Sequence, residues 1–251
     1  MIELKTPEEI AVMRRAGQVV AGMLERLTTL VRPGLKTKAL DDAARTYLRE
    51  AKAKPAFLGY RGYPACVCVS VNEEVVHGIP GEREIRSGDV VSIDAGAVVD
   101  GFFGDAATTV IVGDVDEHLR QLVRVTEESL AAGIAKAQPG NRLSDISYAV
   151  QRVIDAASFG IVRDFVGHGI GRAMHEDPAV PNYGAPNLGP RLRAGMVIAI
   201  EPMVTLGDYA VEVLSDGWTA VTRDRSMAAH FEHTVAILES GPEILTRRME
   251  N

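Results

Sequence analysis

The chain carries two imperfect copies of one pattern. "RSGDVVSIDAG" at Arg86–Gly96 returns as "RAGMVIAIEPM" at Arg193–Met203, which sets Asp94 against Glu201. His77-Gly78-Ile79 returns as His168-Gly169-Ile170. Leu40 follows Pro33 by seven residues, and Ile146 follows Pro139 by seven. A later acid precedes a β-rich run in each half: Asp105 before "AATTVIV" and Glu232 before "HTVAIL". Stacked repeats need three or more units to bury a core, so two copies argue against a solenoid. They predict one pseudo-symmetric α+β domain over residues 1–251, with halves of about 1–113 and 114–251 and its centre where the halves meet. With 251 residues and no low-complexity linker, the chain can close a sizeable core around that centre.

Local signals fill in the elements. Thr6-Pro7-Glu8-Glu9 reads as an N-cap, a proline at N1 and a capping-box glutamate at N3. Ile10, Met13, Val20, Leu24, Leu27 and Val31 then carry a helix to Pro33-Gly34. A second helix starts near Thr37, with Leu40, Ala44, Tyr47, Leu48 and Ala51 on one side. Strand-like runs follow: "CVCVSV", "DVVSIDAGAVVDG" and "TTVIVG". The second half repeats the order. A helix runs from about Asp116 to Pro139-Gly140, and another carries Ile146, Val150, Val153 and Ile154. A glycine-rich segment, "GMVIAIEP", a hairpin near Trp218 and "HTVAIL" complete it.

Each copy of the shared run sets a carboxylate among β-branched neighbours. One such acid is commonly a salt-bridge partner or a strand-end cap. An isolated buried charge, however, is very costly. Four acids at matching stations, Asp94, Asp105, Glu201 and Glu232, cannot share one dry centre without cations. His168 adds a nitrogen donor, and its glycine neighbours Gly167, Gly169 and Gly171 are expected to allow close approach. Four carboxylates and one imidazole suit two divalent first-row ions such as Mn²⁺, Fe²⁺ or Co²⁺. Mg²⁺ suits them less, because it tends to keep its waters. Two bridged ions of this kind hydrolyse amides or esters.

The remaining histidines divide. His118 lies in the charged face "DEHLRQ" and is expected to be solvated. His230 and His233 flank Glu232, and in a strand both are expected to point away from the side it faces. His77 and His175 lie close to the presumed site without ligand spacing. Each is either a satisfied structural histidine or a neutral donor to a substrate amide or oxyanion. Aromatic residues make up only 5% of the chain. Phe57, Tyr60 and Tyr63 in "FLGYRGYP", and Trp218 in "SDGWT", are either loop packing or the apolar wall of a pocket. Cys66 and Cys68 form neither a disulfide framework nor a zinc motif. At i and i+2 they are expected to share a strand face, as buried thiols in a reducing compartment. A net charge of −7 without a basic run excludes a nucleic-acid footprint. No signal pattern and no apolar stretch of membrane-spanning length are present, so the cytoplasm is the expected location.

Five ordered motifs, "SVNEEVVHGIP", "SIDAGAVVDGFFGDAATT", "GHGIGRAMHEDP", "AIEPM" and "FEHT", resemble those of the type I methionine aminopeptidases, nearly end to end. The resemblance implies the pita-bread fold, an α+β architecture of pseudo-two-fold halves with an antiparallel-rich sheet covered by helices. It also implies two divalent metal ions per chain (Co, Mn, Fe, Zn or Ni), held by Asp94, Asp105, His168, Glu201 and Glu232. Asp105 and Glu232 would bridge the ions, and Glu201 would also pass a proton. His77 would act on the scissile amide and leaving group, and His175 would hydrogen-bond the substrate amide. Tyr60, Tyr63, Cys68, Met174 and Trp218 would line or edge the methionine pocket. The implied substrate is a peptide or nascent-chain N-terminus with Met first and a small second residue. Proximity to the ribosome would fit that role. No nucleic acid or membrane is expected, and a monomer is.

Three positions depart from the family pattern. Met174 stands where Phe is common, Phe103 where a histidine is common, and Phe57 where Cys is frequent. Three alternative functions are compatible with parts of the pattern. An aminopeptidase of the same fold that cuts before proline is usually larger. A non-catalytic peptide-binding relative typically loses metal ligands. A dinuclear phosphoesterase lacks support, because the sequence shows no basic phosphate clamp.

Overall fold

The computed structural model describes residues 1–247. Helix α1 (Pro7–Leu30) starts where both halves of the capping box form. The Thr6 hydroxyl accepts from the Glu9 amide at 3.3 Å, and the Glu9 carboxylate accepts from the Thr6 amide at 2.9 Å. Helix α2 spans Thr37–Glu50. Short strand β1 (Lys54–Pro55) precedes β2 (Val67–Val71), β3 (Glu74–Val76), β4 (Val90–Val99) and β5 (Phe102–Ile111). The second half opens with α3 (Glu117–Lys136), capped by the Asp116 carboxylate on the Leu119 amide, and α4 (Leu143–Ala156). Strands β6 (Gly160–Ile161), β7 (Gly167–Gly169), β8 (Glu176–Val180), β9 (Val197–Ile200) and β10 (Met203–Thr205) follow. The chain closes with β11 (Val211–Val213), β12 (Ala220–Thr222), β13 (Ala228–His230), β14 (Glu232–Leu238) and β15 (Gly241–Ile244).

Strand β5 begins at Phe102, well before the expected "TTVIVG". Asp100 and Gly101 both take positive φ, 48° and 82°, and Val99 faces Phe102 across them. That is the Asp-Gly two-residue turn whose twist matches a hairpin. The turn draws β4 and β5 into one long ladder from Val99–Phe102 to Val90–Ile111. Asp105 therefore sits inside a strand instead of before one.

The main sheet has the order β1-β4-β5-β14-β9-β7-β8, with β2 also paired to β4 and β15 to β14. The order reads nearly the same from either side of the β5–β14 seam, which is the two-fold arrangement of the halves. Side-chain alternation divides its faces. On β4, Val91, Ile93, Ala95 and Ala97 pack with Leu24, Leu27, Leu40 and Leu48 of α1 and α2. On β9 and β14, Ile198, Ile200, Val235 and Ile237 pack with Leu130, Ile134 and Ile146 of α3 and α4. All four helices thus cover one face. The alternate residues Asp94, Ala199, Glu232 and Thr234 face the other side.

The cysteines do not share a face. Strand β2 starts at Val67, so Cys66 escapes the alternation. It packs towards α1 and α2, while Cys68 packs with Tyr63 and Met174 on the opposite side. Both are buried and unlinked. His118 is exposed as expected, with its ring 5.3 Å from that of Phe159. No helix among the described residues is long and apolar enough to cross a membrane.

The N-terminal segment ties one half to the other. The Lys5 amide donates to the Gly195 carbonyl, and its ammonium reaches the Glu176 carboxylate, with side-chain exposures of 3% and 14%. Glu176 also accepts from the Ala173 amide at 3.1 Å, which fixes the loop carrying Met174 and His175. Removing one partner of a buried pair strands the other charge. Lys5→Met is therefore expected to lower stability by about 3 kcal/mol in urea unfolding. Lys5→Met with Glu176→Gln should recover much of that loss. Equal stability of wild type and single mutant would show that the pair does not bind the halves together.

Candidate active site

The sheet register assembles the acids. Asp94 on β4 faces Ala107 on β5, and Ala107 faces Glu232 on β14. Ala107 thus stands between the two carboxylates in this row. Asp105 lies two residues along β5 on the same face. On the far side, His168 of β7 faces Ala199 of β9, and Ala199 faces Thr234 of β14. Glu201 lies two residues beyond Ala199. The five residues that sequence motifs nominated as ligands line one cavity of about 340 Å³.

Distances draw them closer still. His168 Nε2 stands 3.5 Å from Glu201 Oε1 and 4.0 Å from Asp105 Oδ2. One ligand atom from each of Asp105, His168 and Glu232 lies within 4.8 Å of the others, the spacing of a candidate metal-binding group. The His168 tautomer follows from its other nitrogen, which lies 2.9 Å from the Gly169 carbonyl. A carbonyl only accepts, so Nδ1 carries the proton and Nε2 presents a lone pair to the acids. The glycines of this motif serve the neighbouring strands. A Cβ at Gly167 would strike the Ala199 carbonyl, and one at Gly169 the Asp177 carbonyl. Side chains there would push β8 and β9 away and carry His168 out of line.

The electrostatics fit a cation. Asp105 and Glu232 are 4% and 2% exposed, whereas Asp94 and Glu201 are half-buried, with their open sides facing the cavity. Burial pushes the Asp94 carboxyl up to about 7. Burial, then neighbouring carboxylates, raise Asp105, Glu201 and Glu232 well above the usual range. Asp94 Oδ1, Asp105 Oδ1 and Glu232 Oε1 are buried without a hydrogen-bond partner. Unpaired buried carboxylate oxygens are costly. Oxygen and nitrogen donors in this ratio suit divalent first-row metals.

Around the acids stand the residues expected to meet substrate. His175 lies at the exposed mouth, its ring centroid 4.2 Å from that of His168. The Tyr60 hydroxyl is 2.8 Å from His175 Nδ1. Burial, then Arg61, lower the His175 pKa. Burial holds His77 down at about 4, against the edges of Phe165 and Trp218. His77 also takes φ of 62°, a sparsely populated backbone region that is often found at functional sites. Tyr63, Cys68, Met174 and Trp218 line the cavity wall, and Tyr63 meets Trp218 edge-on at 5.1 Å. Of the three departures, Phe57 and Met174 line the cavity. Phe103 does not, and acts through its amide, which donates to the Gly171 carbonyl at 2.9 Å.

The reading of His230 needs correction. The expectation turned it away from Glu232, yet it lines the same cavity, with Nε2 3.8 Å from Glu201 Oε2. The reason is parity: residues two apart on an extended chain face the same way. The signal was present in "HFE" and was overlooked. His233 does point away, and its Nδ1 lies 2.9 Å from the Thr246 hydroxyl. Phe165 also joins the cavity, with no sequence signal beyond its place in "DFVGHG".

Comparisons with known proteins bear on this site. The model of metallopeptidase family M24 matches residues 11–239. A methionine aminopeptidase of Clostridium perfringens is 53% identical over 98% of this chain and 99% of its own. Methionine aminopeptidase 1 of Bacillus subtilis is 51% identical over 98% and 100%. The crystal structure of methionine aminopeptidase from Thermotoga maritima superposes with a TM-score of 0.97 at 50% identity, covering 99% of this chain and all of that one. A prolidase from Pyrococcus furiosus shares the fold at 22% identity and a TM-score of 0.79, and the match covers 66% of that chain.

The carboxylate cluster makes a pH prediction. Asp94 titrates near 7 in the folded chain, against an ordinary carboxyl value of 3.8. A folded-state value above the unfolded one means that the native state keeps protons the unfolded chain releases. Rising pH through that window removes stability from the metal-free protein. His77, His168 and His230, depressed to about 4, 4 and 3, act oppositely: their contribution is present above the unfolded value and fades as pH falls. A divalent cation takes the place of the carboxylate protons, so its stabilising effect should grow from about pH 5 to about pH 8. Thermal melts with and without Mn²⁺ measure this. A melting-temperature increment independent of pH would exclude carboxylates as the ligands.

Proposed function

The chain belongs to metallopeptidase family M24, and on that premise we propose that it is a methionine aminopeptidase, removing the initiator methionine from peptides with a small second residue. The observation that carries this reading is the cavity: four acids and an imidazole on one wall, an apolar pocket on the other. Relatives bearing that activity in their names match at about half identity over nearly the whole chain. The prolidase likeness supports the fold alone. We take the whole chain as one catalytic domain acting in the cytoplasm as a monomer, where a nascent N-terminus near the ribosome is within reach. Two buried free thiols suit that reducing compartment.

Asp94, Asp105, His168, Glu201 and Glu232 would hold two divalent ions. Bound there, the ions would polarise the scissile carbonyl, acidify a water towards neutral pH and anchor the free α-amino group. Glu201 would accept the proton of the attacking water and return it to the leaving amine. In the tautomer in which the Tyr60 hydroxyl donates to His175 Nδ1, Nε2 would carry a proton for the substrate oxygen as negative charge builds there. His77, kept neutral, donates at the scissile amide. Tyr63, Cys68, Met174 and Trp218 enclose the methionine side chain, with Phe57 beside Met174. Methionine thioethers make favourable contacts with aromatic rings at about 5 Å.

Metal-stripped protein incubated with Met-Ala-Ser, Ala-Pro-Ala and a phosphate ester, with and without Mn²⁺ or Co²⁺, tests this. Metal-dependent release of methionine from the first peptide alone is expected. Cleavage of Ala-Pro-Ala instead would favour a proline-directed enzyme, and no turnover with metal present a binding protein. Glu201→Ala should lower kcat by about a hundredfold or more; a fully active mutant would remove Glu201 from its assigned role.

A further inference from the structure

His230 has no part in the mechanism above, yet it is among the most enclosed groups at the site, 2% exposed. Its Nε2 is buried with no hydrogen-bond partner. The facing atom is Glu201 Oε2 at 3.8 Å, while the other oxygen of the same carboxylate faces His168 Nε2 at 3.5 Å. Glu201 is thus bracketed by two imidazoles, one on each oxygen.

The backbone holds His230 firmly. Its amide donates to the Thr109 hydroxyl at 3.0 Å, and that hydroxyl donates to the His230 carbonyl at 2.7 Å. The same clamp occurs at Asp105, whose amide donates to the Thr234 hydroxyl at 3.0 Å, with that hydroxyl donating to the Asp105 carbonyl at 2.7 Å. Antiparallel pairing of Ala107 with Glu232 relates the two clamps by a local two-fold axis, which exchanges Asp105 with His230 and Thr109 with Thr234. The sequence repeat aligned Asp105 with Glu232; the sheet aligns Asp105 with His230. His230 occupies the station of a proposed ligand in the other half.

We propose that His230 is a positioning residue: its Nε2–H holds Glu201 Oε2 and so turns Oε1, beside His168, towards the metal. The drive is local. A buried ring nitrogen without a partner is unfavourable, and closing 3.8 Å to hydrogen-bond distance takes a side-chain shift of about 1 Å. Outer groups that orient a ligating carboxylate typically govern metal affinity by 10- to 100-fold, about the size expected here.

The inference rests on the metal-site reading, and one titration separates the two. Mn²⁺ binding by calorimetry should weaken about 10- to 100-fold in His230→Leu, while His230→Gln, which retains an N–H donor, should stay close to wild type. Thr109→Val, which releases the clamp without touching Glu201, should weaken binding in the same direction. Pulsed EPR of the Mn²⁺-loaded protein should count the same number of imidazole nitrogens in wild type and His230→Leu. Unchanged affinity in folded His230→Leu overturns the positioning role, and so does loss of an imidazole signal, which would make His230 a ligand. Should His230→Leu fail to fold, the His230→Gln and Thr109→Val pair decides by the same criterion. Absence of Mn²⁺ binding in wild type would instead overturn the metal-site reading.

Discussion

Repulsion among four carboxylates on one buried sheet face governs this structure. In a medium that screens charge poorly, such a cluster persists only protonated or neutralised by cations. Burial raises all four carboxyl pKa values, and the neighbouring carboxylates raise Asp105, Glu201 and Glu232 further. The histidines move the other way: burial keeps His77, His168 and His230 neutral, as donors and lone pairs. The two effects together leave a centre built of acids that need a positive partner and imidazoles that do not supply one.

The fold concentrates these groups through sheet register more than through loops. Ala107 separates Asp94 from Glu232, and Ala199 separates His168 from Thr234. The helices brace the strands from behind through two apolar clusters, while a third cluster that includes Phe57, Tyr63, Cys68 and Met174 reaches the cavity wall. Other cavity-lining residues sit on less regular segments: His77 at positive φ, His175 on the loop pinned by Lys5 and Glu176, and Tyr60 and Trp218 in turns.

Much of this was legible in the sequence, for identifiable reasons. The capping box at Thr6, the Asp116 cap and the alternation through β4 are local signals, decided within a few residues. The two-fold plan was legible because the repeat preserved both the acids and their spacing to strand runs. The early start of β5 is also encoded, in the Asp100-Gly101 turn. Cys66 and Cys68 part because β2 begins at Val67, one residue after the apolar run does. His230 and Glu232, two apart, share a side by the same parity that turns His233 away.

The sequence by itself determined the fold class and the two-fold plan, because hydrophobic period, capping chemistry and the spacing of repeated runs are properties of neighbouring residues. Only the tertiary structure decided the local symmetry mate of each acid. The antiparallel seam matches Asp105 with His230, and register between strands 125 positions apart depends on the whole sheet closing. It alone showed that the motif glycines yield to the backbones of β8 and β9, and that Glu201 stands between two imidazoles. Those facts depend on distances across the fold, which packing sets and chain order does not.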